Sequence, residues 1–358
     1  MDDIYKKLQE RADREGIGYP ATEKGHELKY LEELYTPEEA AIFVNMKDGY
    51  QTTEEAAEFM GTDPARTAEV MYAMSKKGTL FRLREGDTVR YRTIPFLHGI
   101  YEFSADHLTA TMSVNFTKHF AGGLGARIIK TEEPIFRMIP VNREIVTNKE
   151  ILPMDDAVAI IRMQESISLT ECTCRRAKRY APKGMCGHSM ETCFSFGQFA
   201  EYLIENGAAR RVTQDEAIEI MKKSDDEGLV VGVLNSQKVE TMCACCSCCC
   251  GALNAIKFFG RDNAEKSHNN FCVKDESKCI NCGKCSTRCP MGAQKMVDGK
   301  AVFNLEFCIG CGLCVTKCPK KALTLHQKDA DKIYLPVAEY GIDTYDLIAR
   351  QREEAGEF

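Results

Sequence analysis

Residues 279–290 read CINCGKCSTRCP and residues 308–319 read CIGCGLCVTKCP. Both are C-x2-C-x2-C-x3-C-P, and the second copy follows the first with a period of 29. Cys279, Cys282, Cys285, Cys289, Pro290 and Ala293 thus match Cys308, Cys311, Cys314, Cys318, Pro319 and Ala322. Three cysteines at this spacing wrap one loop around a metal group and offer it three thiolates. The fourth is expected to start a short helix and point to the opposite group, with proline at the first helical position. Gly283 and Gly312 let backbone N–H groups approach closely. Zinc does not suit the pattern, because a structural zinc takes four ligands in all from paired knuckles.

The repeat resembles bacterial two-[4Fe-4S] ferredoxin domains. That resemblance covers residues 271–326 and implies two [4Fe-4S] clusters with shared ligands. One cluster takes Cys279, Cys282, Cys285 and Cys318. The other takes Cys289, Cys308, Cys311 and Cys314.

The rest of the chain sets the context. With 358 residues, 44% hydrophobic, 28% charged and a net charge of −6, it has the composition of an ordinary globular protein of two or three domains. No run of eighteen apolar residues is present, so no membrane-spanning helix is expected. The opening MDDIYKKLQERADREG lacks an apolar signal core, and a cytoplasmic location follows as an expectation. Thiols are kept reduced there, so the nineteen cysteines are expected to hold metal rather than form bridges.

An α+β multidomain fold is predicted, with units at 1–95, 96–270 and 271–326 and a polar tail at 327–358. In the first, TPEEAAIFVNM, TTEEAAEFMG and TDPARTAEVMYAMSKKG read as capped helices, and TLFRLREGDTVRYRTI reads as a hairpin. Three short helices and a two-stranded wing resemble a winged-helix domain. Residues 36–95 hold ten acidic and eight basic residues, which argues against nucleic acid as a partner, although Arg82, Arg84, Arg90 and Arg92 lie in the wing. The central unit reads as a small mixed α/β domain with Cys-rich loops. Strands are predicted at SISLTE and at 228–236, and helices at PMDDAVAIIRMQES, 190–207 and 213–226. GGLGAR at 122–127 reads as a turn.

Eleven further cysteines lie outside the repeat. Cys172, Cys174, Cys186 and Cys193 sit in one segment, for which zinc or plain burial is the simpler alternative. Cys243, Cys245, Cys246, Cys248, Cys249 and Cys250 form the run CACCSCCC, expected to be a loop feeding a helix that starts at Gly251. Cys272 stands alone and reads as structural. Six vicinal thiols without metal would be an oxidation liability, so the run is expected to belong to a third metal site. Two arrangements stay open: each segment holds its own cluster, or both share one larger cluster with spare thiols. Arg175, Arg176, Lys178, Arg179 and Lys183 would offset thiolate charge, and His188 or Ser189 could complete a ligand set. GIYEF, IPVNREI, CTCR, ETCFSFG and CACCSCCCG together resemble anaerobe iron–sulfur proteins described as 4Fe-4S dicluster-domain proteins, which implies a redox function.

The leading expectation is an electron-transfer protein. Two ferredoxin-type clusters would relay low-potential electrons from a redox partner protein to one or two further iron–sulfur clusters in the central unit. The alternatives are a reductase acting on a small molecule at that central site and a redox-sensing winged-helix regulator.

Overall fold

The structure, a computed structural model, describes residues 2–141, 153–181, 184, 186–262 and 264–358. Part of IPVNREI and Lys183 lie outside the described residues. It is a mixed α/β molecule built on small sheets, in agreement with the α+β expectation.

The N-terminal unit follows its capping signals. Thr36 and Thr52 each accept from the N3 amide while Glu39 and Glu55 reach back to the cap, giving two capping boxes ahead of Pro37–Asn45 and Thr53–Met60. Asp63 caps Pro64–Lys77, and Gly78 ends it in the left-handed conformation. A hairpin follows, β1 (Phe81–Glu85) and β2 (Thr88–Arg92), joined by Gly86 and Asp87. Its cations are engaged within the chain. Arg82 is buried and donates to Ser75, Glu205 and Asn206, and Arg84 donates to Glu205 at 2.8 Å. Arg92 pairs with Asp346 at 3.0 Å and Arg90 with Glu85 at 3.5 Å. On the third helix Lys77 pairs with Glu39, and Lys76 donates to the Glu205 carbonyl.

The central unit holds a six-stranded antiparallel sheet formed by β3 (Phe136–Ile139), β4 (Ile167–Glu171), β5 (Glu191–Phe196), β6 (Arg210–Arg211), β7 (Val230–Leu234) and β9 (Thr241–Cys245), in the order β3-β7-β9-β5-β4-β6. The helix Gln214–Glu227 is capped by Thr213 as expected. Two expectations are corrected. The first half of 190–207 is β5, and only Gly197–Asn206 is helical, because ETCFSF pairs with a strand on either side. The cysteine run is not all loop: its first three residues end β9, and Cys250 then caps the helix Gly251–Phe258. GGLGAR leads directly into the short helix Gly125–Lys130.

A short strand β8 (Ser236–Lys238) leaves this sheet. The C-terminal segment contributes β10 (Asn270–Lys274), β11 (Gln294–Val297), β12 (Lys300–Phe303) and β13 (Leu323–Gln327), paired as β10-β13 and β11-β12. The tail is integrated rather than loose. β14 (Val337–Tyr340) pairs in parallel with β8, and the helix Gly341–Glu354 buries Tyr345 and Ile348 in the core of the N-terminal unit.

Arg137 on β3 ties these parts together. Fully buried, it donates to Asp155 at 2.8 Å, Asn235 at 2.9 Å and the Met154 carbonyl at 2.7 Å, and Asn269 donates to the second Asp155 oxygen at 2.9 Å. Removing one member of a buried pair strands the other charge. Arg137→Ala is therefore expected to lose about 3–5 kcal/mol of stability in chemical unfolding. Arg66→Ala, which breaks exposed pairs with Glu38 and Glu69, should lose far less. Equal losses in the two variants would contradict this reading.

Candidate metal centres

The eight repeat cysteines line two cavities. Cys289, Cys308, Cys311 and Cys314 line the first, and Cys279, Cys282, Cys285 and Cys318 line the second. The fourth cysteine of each motif therefore lines the cavity of the other motif. The local detail differs from expectation: Cys289 ends the helix Lys284–Arg288 instead of starting one. Gly283 and Gly312 open these helices at φ 75° and 77°, a backbone that glycine adopts without strain. The repeated alanines also acquire a role. Ala293 N–H donates to Cys289 Sγ at 3.2 Å, and Ala322 N–H donates to Cys318 Sγ at 3.3 Å. Gly310 admits no side chain, since a Cβ there would lie 2.2 Å from the Asn270 carbonyl oxygen.

The two cavities differ in surroundings. Cys282 is exposed, whereas Ile309 and Leu313 beside Cys311 are buried in the main hydrophobic core. Cys272 lies 3.7 Å from Cys314 and lines the inner cavity, so it stands closer to the repeat sulfurs than its isolation in sequence suggested.

The ten central cysteines form two groups, neither of which follows the sequence segments. The pleat of β9 is the cause, because successive residues point to opposite faces. Met242 and Ala244 face the core beneath Gln214–Glu227, where Cys246 and Cys249 join them. Cys243 and Cys245 face the other way, toward Leu97–Glu102. There Cys172, Cys174, Cys193, Cys243, Cys245 and Cys250 line a single cavity, which Cys246 also borders. Cys193 and Cys243 are directly paired across β5 and β9, with sulfurs 3.3 Å apart. The remaining four, Cys186, Cys246, Cys248 and Cys249, have all their sulfurs within 4.8 Å of one another.

The six-sulfur cavity has largely apolar walls with a few polar side chains that sequence reasoning did not single out. His98, Tyr101 and Glu102 line it, contributed by the HGIYEF segment. Burial lowers the His98 pKa to about 4 and raises that of Glu102 to about 8. Neither His98 nitrogen nor the Tyr101 hydroxyl has a hydrogen-bond partner among the described residues. Buried polar atoms are rarely left so, and these orphans fit a cavity that receives a bound group. Cys172, Cys243 and Cys245 are each pushed upward, first by a hydrogen bond to Cys174, Cys193 and Cys243 respectively. Such thiols ionise when a metal replaces their protons, so the donor set suits soft metals.

Arg175 lies between the two central groups and is wholly buried. It donates to the Ser189 and Ala244 carbonyls at 2.8 Å and to Thr192 at 2.6 Å. Burial alone would lower its pKa, but Cys172 and Cys246 raise it. Arg176 pairs instead with Asp106 and Glu171, and Arg179 with Glu171. His188 and Ser189 are not among the grouped sulfurs. His188 lies 3.7 Å from Glu227, and Ser189 donates to the same carboxylate.

Residues 271–319 match the family described as 4Fe-4S dicluster domain, so the C-terminal segment carries 4Fe-4S clusters. No curated protein and no solved structure matches the chain.

Cys318 is distant in sequence from the cavity it lines and gives the sharpest test of the crossing. Cys318→Ala is expected to deplete the cluster held by Cys279, Cys282 and Cys285 and to spare the inner one. The check is electron paramagnetic resonance of the reduced protein, where an unchanged pair of cluster signals would contradict the assignment.

Proposed function

We propose that the protein is an iron–sulfur electron-transfer protein whose C-terminal segment exchanges electrons with a partner at its exposed side and is wired inward to a further iron–sulfur centre among the six central cysteines. [4Fe-4S] clusters supply one-electron transfer when bound. Cys279, Cys282, Cys285 and Cys318 would hold the outer one, where exposed Cys282 leaves it open to a redox partner protein. Cys289, Cys308, Cys311 and Cys314 would hold the inner one. One observation carries the reading: Ile309, Leu313 and Met291, beside the inner cysteines, share one continuous hydrophobic core with Cys250, which lines the central cavity. Side-chain fastening supports the same docking. Arg288, next to Cys289, donates to the Asp225 and Asp226 carbonyls at the end of Gln214–Glu227. Lys317, next to Cys318, pairs with Asp226.

A reductase acting on a small molecule is the second reading, favoured by His98, Tyr101 and Glu102 in the walls of the central cavity. Four of six thiols would suffice for one cluster, which leaves sulfur and proton-carrying groups beside it. A winged-helix regulator finds less support. The N-terminal unit does have the three helices and hairpin, but Arg82, Arg84, Arg90 and Arg92 are all engaged in pairs within the chain. It is better read as a packing unit, whose core residues join those of the central unit.

An electron paramagnetic resonance-monitored redox titration of the anaerobically purified protein tests the relay. A third centre is expected in the wild type, lost in Cys172→Ala and Cys250→Ala while both ferredoxin signals remain. Only two centres in the wild type would contradict it. The regulator reading is checked separately by gel shift against DNA from the upstream region of its own gene. No sequence-specific complex is expected at physiological salt, and a salt-sensitive specific complex would reinstate that reading.

A further inference from the structure

The geometry points to a second and chemically different metal site: we propose that Cys186, Cys246, Cys248 and Cys249 bind one tetrahedral divalent ion of the zinc class. The site shares no cysteine with the repeat and only Cys246 with the lining of the central cavity, so Cys186 and Cys248 test it apart from the electron-transfer reading.

Sulfur spacing separates the possibilities. Zinc–thiolate bonds of about 2.3 Å place the sulfurs of a regular tetrahedron about 3.8 Å apart. Cys186 lies 3.7 Å from Cys246 and 3.7 Å from Cys249, and Cys249 lies 3.7 Å from Cys248. No pair among the four exceeds 4.8 Å. A cubane instead holds each thiolate outward on a different iron. Four sulfurs this close leave no room between them for four irons and four sulfides.

The backbone has the form such a site needs. Cys249 and Cys250 N–H both donate to the Cys246 carbonyl, at 3.3 and 3.1 Å. This tight turn presents three of the four sulfurs, and Cys186 supplies the last from a distant loop. With four protein ligands the coordination is closed, which marks a structural rather than a catalytic ion. Cys248 is exposed and leaves an entry path for the metal.

Charge supplies an independent observation. A divalent ion with four thiolates carries two excess negative charges, which a low-dielectric site must offset. Arg175 is fully buried beside Cys246, and its Nε has no hydrogen-bond partner among the described residues. None of the described carboxylates pairs with it; it donates to two carbonyls and to the Thr192 hydroxyl. A guanidinium buried in this way has its counter-charge in the neighbouring thiolates. The ion would fasten the turn before Gly251–Phe258 and so hold Cys250 in the adjacent cavity.

The test is metal and acid-labile sulfide analysis of the full-length protein, purified anaerobically, as wild type, Cys248→Ala and Cys186→Ala. Cobalt(II) exchange serves as the spectroscopic probe. The wild type should carry one zinc, or one iron with a mononuclear thiolate spectrum, that is not matched by sulfide. Cobalt should replace it and give the intense visible bands of a tetrahedral thiolate site. Both variants should lose that one ion and keep their sulfide content and cluster resonances unchanged. Loss of several irons with matching sulfide in either variant would overturn the proposal, as would metal content unchanged in both. Because sulfide counts the clusters separately, absence of the third electron-transfer centre would leave this result readable.

Discussion

One buried guanidinium surrounded by cysteine sulfur sets the constraint on which the central unit depends. Arg175 anchors β9 through the Ala244 carbonyl and the Cys186 loop through the Ser189 carbonyl, and it lies beside Cys172, Cys245 and Cys246. Thiols crowded into a low-dielectric interior cannot all ionise without cations, and a guanidinium there needs anions. Metal satisfies both requirements together. The sheet, the two helix starts at Cys172 and Cys250, and the turn between Cys246 and Cys250 are arranged to bring sulfur to that point. Folding of this region is thus expected to be coupled to metal loading, as in other small metal-organised units.

The ferredoxin cysteines were legible from the chain because their geometry is local. One loop carries three cysteines of each cavity, and the fourth comes from the other copy of the repeat. The central cysteines were not, because their grouping depends on the face of β9 toward which each residue points. A run such as CACC gives no sign of this until its first three residues are known to lie in a strand. The helix expected over 190–207 had the same origin: ETCFSF has apolar residues at spacings that suit either period, and pairing with β4 and β9 decided it. His98, Tyr101 and Glu102 carried no ligand spacing of their own. The HGIYEF segment stood out only through resemblance, and contact across the sheet gives it a role.

The ends of the chain show how composition can mislead about organisation. The tail is polar, yet Tyr345 and Ile348 are core residues, and its helix returns to the N-terminal unit through Arg92–Asp346 and through Arg352 against Asp13. The wing arginines looked free for phosphate because their partners, Glu205 and Asp346, are far away in sequence. Together these contacts fasten the tail to the N-terminal unit and the N-terminal unit to the central one.

The central claim is that iron–sulfur chemistry extends beyond the C-terminal segment into the central unit. Mössbauer spectroscopy of protein grown on iron-57 and purified without oxygen counts iron by environment and tests it most directly. The account predicts iron in sulfide-bridged clusters in excess of what two cubanes hold, with the excess missing from Cys172→Ala. Cluster iron limited to two cubanes in the wild type would contradict it.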